Sequence, residues 1–123
     1  MNAGHNSPIV LRRHEDGCET LLLKPVGVPV GALEGSQYRS KSFQLEIGDV
    51  VVAYTDGVTE SEDSVGDPFG PERLERTLCD CAGRDPRGIL QHILGELSAH
   101  SAGRSQRDDI TLVVIHVEAQ KVA

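Results

Sequence analysis

The chain has 123 residues and a mass of 13.3 kDa, enough for one core and too little for two full-sized domains. Hydrophobic residues make up 38% and charged residues 25%, which fits a folded chain and argues against compositional disorder. Aromatics are 3% with no Trp, and the net charge is −7, so base-stacking, phosphate-backbone and anionic-membrane partners are disfavoured, whereas metal cations fit.

Residues 7–13, Ser-Pro-Ile-Val-Leu-Arg-Arg, read as a strand. An Asp16-Gly17 turn signal and the apolar stretch 20–23 then complete a hairpin. Residues 24–35 mix two Pro and three Gly with Val, Ala and Leu, the composition of a loop packed by its own apolar side chains. Partial alternation over residues 38–47 puts Phe43, Leu45 and Ile47 on one face and predicts a strand. Gly48-Asp49 turns it into a second strand, Val-Val-Val-Ala-Tyr at 50–54, apolar enough to be buried on both faces.

Residues 59–67 hold Glu60, Glu62, Asp63 and Asp67 with little that is apolar, and read as an exposed acidic loop. Pro71 opens a short helix marked by Leu74 and Leu78, with Gly83 as its stop. Asp85 caps and Pro86 opens a second helix, whose apolar face of Ile89, Leu90, Ile93, Leu94 and Leu97 runs to about His100. Residues 101–107 form a polar loop, and the β-branched run 110–115 suits an interior strand.

Three cysteines, an odd number, with only one residue between Cys79 and Cys81, argue against a disulfide framework. No leader pattern opens the chain, and no apolar run approaches the roughly 20 residues that span a bilayer. A cytoplasmic protein is expected.

Two features carry chemistry. Asp56 follows the strand 50–54, and Asp108 and Asp109 precede the strand 110–115, so antiparallel neighbours would bring all three carboxylates to one edge of the sheet. Clustered carboxylates make an oxygen-rich site for Mg²⁺ or Mn²⁺ and repel one another without a cation. Each feature also has a plain reading, since Asp-Gly at a strand end is usually a turn and Asp-Asp before a strand is usually solvated.

In order along the chain come Asn-Ala-Gly-His-Asn-Ser-Pro at 2–8, Gly-Val-Pro-Val-Gly at 27–31, Gly-Asp-Val-Val-Val-Ala-Tyr-Thr-Asp-Gly-Val-Thr-Glu at 48–60, Phe69-Gly70 before a Leu-bearing helix, and Gln-Arg-Asp-Asp-Ile-Thr at 106–111. With these pieces the chain resembles the SpoIIE/RsbU type of PP2C-like (PPM) metal-dependent serine/threonine phosphatases, from residue 2 to about 117. The resemblance implies an α+β fold: the C-terminal part of a PP2C-like αββα sandwich, mainly antiparallel sheet with two helices, as a single partial domain over 1–123. It further implies Asp56 and Asp108, together with the adjacent Asp109, as metal-binding carboxylates, and Mn²⁺ or Mg²⁺, two ions in a complete domain, activating a water rather than a protein nucleophile. The implied substrate is a phosphoserine or phosphothreonine of an anti-sigma-factor antagonist-type protein in bacterial stress or sporulation signalling.

The matched sequence begins in the middle of that family's domain, and the first metal-binding Asp-Gly motif of the family has no counterpart here. Asp16-Gly17 has the right dipeptide but lies in a hairpin turn. A truncated domain is therefore expected, with sheet edges and apolar faces left open to self-association. A catalytically inactive remnant serving as a binding or oligomerisation module is the competing reading.

Other constellations are weaker. His5 and Asn6 belong to the first matched motif and are substrate-side candidates, or else a pair that stabilises the turn before the first strand. Cys79, Cys81, His92 and His100 have the wrong spacing for zinc. Ser7, Ser36 and Ser42 lack a nucleophile elbow. Arg104 and Arg107 suit substrate phosphate, or more simply ion pairs with nearby acidic side chains.

Overall fold

Strands β1 (Ile9–His14) and β2 (Gly17–Leu22) form a tight antiparallel hairpin closed at His14 and Gly17, as the Asp-Gly signal requires. The computed structural model describes residues 1–102, 104–105 and 108–120. β3 (Val50–Tyr54) pairs antiparallel with β1, placing Ile9 opposite Val52 and Leu11 opposite Val50. After a helical turn α1 (Asp56–Thr59) and two helices, α2 (Pro71–Asp80) and α3 (Pro86–His100), β4 (Leu112–His116) closes the sheet against β3. The strand order is β2-β1-β3-β4, antiparallel throughout. The fold is α+β, as expected, with a short third helix that the sequence did not announce.

Both long helices pack on one face of the sheet. Leu74 and Leu78 of α2 and Ile89, Ile93 and Leu97 of α3 are buried against Ile9, Leu11, Val50, Val52 and Tyr54. Each such side chain contributes roughly 1.5–3 kcal/mol by leaving water. Pro71 opens α2 where its missing N–H costs nothing, and Asp85 Oδ1 accepts from the Gly88 N–H at 2.7 Å to cap α3.

The period-2 register of the ladder assigns the other face to Val10, Val51, Ala53, Val113 and Ile115. Val51 and Ala53 are half-buried, so β3 is not sealed on both faces as expected. β4 is an edge strand rather than an interior one. Its β-branched composition is compatible with either place, and only the absence of a fifth strand among the described residues decides.

Residues 38–47 form no strand, contrary to the alternation of Phe43, Leu45 and Ile47, all of which are exposed. A strand needs a ladder partner, and this segment has none. It is tethered instead by Arg12, whose guanidinium donates to the Gln44 carbonyl and lies 5.7 Å from the Phe43 ring centroid.

The cysteines also correct the sequence reading, because Cys18 of β2 and Cys79 of α2 are joined in a disulfide with Cα atoms 5.6 Å apart. Packing of α2 on β2 brings together residues 61 positions apart, a proximity that spacing cannot reveal. Cys81 stays a free, buried thiol whose pKa is pushed up by burial. No helix among the described residues is long and apolar enough to cross a membrane.

Candidate metal centre

β3 ends and β4 begins at the same end of the sheet, because Tyr54 pairs with Leu112. Asp56, just past β3, and Asp108, four residues before β4, therefore meet across that end. A third carboxylate joins them. Asp56, Glu60 and Asp108 each offer an oxygen, and the three lie within 4.8 Å of one another. All three are exposed, so like charges at that distance repel by only about 1 kcal/mol per pair, as in bulk water. A hard divalent cation relieves that repulsion, and carboxylate oxygens are the donors it prefers. The donor set therefore fits Mg²⁺ or Mn²⁺.

Several local devices hold the cluster. Asp56 opens α1 rather than a turn, and the Glu60 N–H closes that turn on the Asp56 carbonyl at 2.8 Å. Residues four apart on a helical turn share a face, so Glu60 stands beside Asp56. Gly57 is buried, and a Cβ there would overlap the carbonyl oxygen of Asp109. The glycine is thus required by close approach of the chain that carries Asp108.

Thr55 ties the same two segments together. Its hydroxyl accepts from the Thr111 N–H at 3.0 Å and donates to the Asp109 carbonyl at 3.3 Å, while its own N–H donates to the Thr111 carbonyl at 3.1 Å. The Asp108 carboxylate accepts from the Asp109 N–H at 2.8 Å, which orients it.

Beside the carboxylates lies a cleft of about 320 Å³ lined by Gly57, Glu60, Ser61, Glu62, Arg104 and Asp108, among others. Arg104 forms an ion pair with Glu62 there, the simpler of its two expected roles. Arg107 lies outside the described residues. The acidic stretch that follows α1 is an ordered loop, not a bare solvated one. Asp63 Oδ1 accepts from the N–H groups of Val65, Gly66 and Asp67, and the Asp67 N–H, followed by those of Val65 and Gly66, holds the Asp63 carboxyl below the usual carboxylate range against a smaller opposing effect of burial. Backbone bonds from Gly70 to Thr59 and from Phe69 to Ser61 then fasten the loop to the end of α1.

Of the residues singled out from sequence, Asp56 and Asp108 come together, and the Asp109 carboxylate is not part of the cluster. Asp109 contributes its backbone instead. His5 is exposed, and its N–H donates to Asn2 Oδ1 at 2.9 Å in a turn that also bonds Leu23. The register of β1 against β3 sets residues 5–8 toward the same end of the sheet as Asp56, yet neither His5 nor Asn6 lines the cleft. Sequence reading missed Glu60 and Thr55. The i to i+4 spacing of Asp56 and Glu60 was a usable signal, once a helical turn at Asp-Gly is allowed.

The family described as Stage II sporulation protein E (SpoIIE) matches residues 1–118. The chain belongs to this family. Protein IcfG of Synechocystis sp. is 33% identical over 116 residues, which cover 94% of this chain and 18% of IcfG. Among solved structures, the SiaA PP2C domain of Pseudomonas aeruginosa superimposes with a TM-score of 0.75 at 25% identity, covering 94% of this chain and 44% of that one. The PP2C phosphatase domain of Bacillus subtilis SpoIIE, solved with a fragment of its regulatory domain, gives 0.72 at 20% identity, covering 97% and 33%. The chain thus spans about a fifth of IcfG and less than half of either of these two solved PP2C-domain chains.

Proposed function

We propose that this chain supplies the Asp56–Glu60–Asp108 part of a PP2C-type protein phosphatase site and holds Mn²⁺ or Mg²⁺ there to dephosphorylate phosphoserine or phosphothreonine on an anti-sigma-factor antagonist-type protein. The observation that carries the reading is the convergence of three carboxylates at the β3/β4 end of a SpoIIE-family chain. When bound, the cation supplies Lewis-acid charge and makes a water more acidic. The chain's own residues do the rest. Asp56 and Asp108 hold the cation, Glu60 adds a third oxygen, and Thr55 and Gly57 keep the two segments in register. Arg104, in the adjoining cleft, is placed to exchange Glu62 for a substrate phosphate oxygen. His5 and Asn6 are assigned to the rim on the substrate side. A structure of the B. subtilis SpoIIE phosphatase domain described as Mn presoaked is consistent with trying Mn²⁺ first.

The test is Mn²⁺-dependent hydrolysis of a phosphoserine peptide by this chain, with calorimetric Mn²⁺ titration of the same samples and of Asp56→Asn and Asp108→Asn. Saturable binding and turnover, both lost in the two variants, support the full reading. Binding without turnover restricts the chain to holding the ion. No binding by a folded chain leaves the competing reading, a binding or assembly module.

A further inference from the structure

We infer that His100, the last residue of α3, is a positioning residue for the candidate site, because its imidazole ties the 61–70 loop that continues from Glu60 to the helix layer. Each ring nitrogen has a partner of fixed character. Nε2 lies 3.0 Å from the Asp67 carbonyl oxygen, which can only accept, and Nδ1 faces Nη1 of Arg73 on α2, which can only donate. Together the two contacts assign the neutral tautomer that carries its proton on Nε2. The half-buried ring also meets the ring of Phe69 edge-on, with centroids 5.4 Å apart, and the Arg73 guanidinium lies 5.5 Å from the same Phe69 centroid. One histidine thus joins α2, α3 and the loop. Both nitrogens are spent on these contacts, which leaves none for a metal or a substrate, so His100 acts through the loop.

Two routes lead from His100 to the carboxylates. Phe69 donates its N–H to the Ser61 carbonyl at 2.7 Å, and Gly70 donates to the Thr59 carbonyl at 2.9 Å, so the far end of the loop is fastened to the residues on either side of Glu60. The Asp67 carbonyl that takes the His100 proton also accepts from the Asp63 N–H at 2.9 Å, and Glu62 bridges to Pro68. The loop is therefore closed on itself, and His100 supplies its polar tie to α3. The second route runs along the chain. Ser101 follows His100, its N–H bonded back to the Leu97 carbonyl at 2.9 Å, and the Arg104 N–H donates to the Ser101 carbonyl at the same distance. Ser101 and Arg104 line the cleft beside the carboxylates, as do Glu62 and Pro68 of the loop. His100 does not line that cleft, yet it joins the two segments that do.

The test compares His100→Gln with His100→Asn in the full chain at about pH 8, where imidazole is neutral. Gln sets an amide N–H₂ where Nε2 stands and reaches the Asp67 carbonyl, whereas Asn stops at the level of Nδ1. A ring that merely filled space beside Phe69 would make the two variants equal, since neither keeps it. Amide hydrogen exchange of the metal-free chain, read by NMR, should show the Glu60, Phe69 and Gly70 N–H groups about tenfold less protected in His100→Asn and within about twofold of the parent in His100→Gln. The β3 amides should exchange alike in all three. The imidazole ¹⁵N spectrum of the parent chain should report the Nε2–H tautomer.

Mn²⁺ titration, whose meaning rests on the metal centre proposed above, should follow the same order, with affinity about fivefold weaker in His100→Asn and unchanged in His100→Gln. Equal loss of protection in both variants, loss in neither, a fall that extends to β3, or an Nδ1–H tautomer would overturn the inference. Loss of protection with Mn²⁺ affinity unchanged would confine His100 to the loop and overturn its role at the site. If the parent chain binds no Mn²⁺, the metal reading fails by itself, and the exchange at Glu60 decides whether His100 positions that residue.

Discussion

The chain contains two Asp-Gly dipeptides at opposite ends of the sheet, and the same two residues do unrelated work. Asp16-Gly17 turns the β1–β2 hairpin, where a Cβ on the glycine would meet nothing within 4 Å. Asp56-Gly57 opens α1, where a Cβ would run into the backbone of Asp109 and the aspartate faces two other carboxylates. The dipeptide alone therefore does not make a carboxylate cluster. What builds the carboxylate cluster is the second segment that the fold brings against Asp56.

The two ends also differ in how they are held. The hairpin end is stapled by the Cys18–Cys79 disulfide and by Arg12, which donates to both oxygens of Asp49 at 2.9 and 2.7 Å. The carboxylate end is held by Thr55, by the close approach at Gly57 and by the loop fastened at Phe69 and Gly70. Damage at the first end should lower stability and spare metal affinity, and damage at the second should affect both.

The largest stability effect expected is loss of the disulfide. A loop closed across 61 residues restricts the unfolded chain enough to be worth about 4 kcal/mol. The double substitution Cys18→Ser with Cys79→Ser should lower the unfolding free energy by that amount in urea and leave Mn²⁺ affinity within twofold, by order-of-magnitude expectation. A large loss of Mn²⁺ affinity in the folded variant would erase the distinction between the two ends.

Next comes the contrast between the glycines. Gly57→Ala forces apart the segments bearing Asp56 and Asp108, at about 3 kcal/mol, and should abolish detectable Mn²⁺ binding. Gly17→Ala has open space and costs about 1 kcal/mol from its backbone conformation alone. Equal costs at the two sites would contradict the close approach at Gly57.

At the hairpin end, Asp49 is only 1% exposed and also accepts from the Glu46 N–H at 2.8 Å. The Arg12 guanidinium first, and then that N–H, hold its carboxyl below the ordinary carboxylate range, against the opposing effect of burial. A depressed folded-state pKa stabilises the protein above the unfolded value near 3.9, and this stability is lost as pH falls through the lower folded value. Asp49→Asn should therefore cost about 2 kcal/mol at pH 7 and flatten the decline in stability below about pH 4. An unchanged acid limb would show that the ion pair does not couple to folding.

Much of this was legible in the sequence. Hydrophobic spacing and the Asp85-Pro86 start located both long helices, and the Asp-Gly turn located the hairpin. The convergence of Asp56 and Asp108 followed once their strands were taken as antiparallel neighbours. The failures have physical causes. Phe43, Leu45 and Ile47 alternate like a strand, but alternation supplies no ladder partner. β4 is β-branched whether or not a strand lies beyond it. Cys18 and Cys79 meet only because α2 crosses β2. Glu60 was hidden because glycine at position 57 argues against a helical turn, and the tertiary contact with Asp109 overrides that propensity.

The smallest effect decides which carboxylate is the third. Sequence order favours Asp109, adjacent to Asp108, whereas the fold turns its carbonyl toward Thr55 and leaves its carboxylate out of the cluster that Glu60 completes. Glu60→Gln keeps the size and the α1 turn but removes one charge from the oxygen set, and should weaken Mn²⁺ binding about tenfold, or roughly 1.4 kcal/mol. Asp109→Asn keeps the backbone carbonyl and N–H that position Thr55 and Asp108, so its Mn²⁺ affinity should stay within about twofold. Asp16→Asn, the matching change at the other Asp-Gly, should have no effect. If calorimetry instead finds the tenfold loss at Asp109 and none at Glu60, the α1 turn is not what builds the site, and adjacency in sequence outweighs the helical spacing on which the assignment of Glu60 rests.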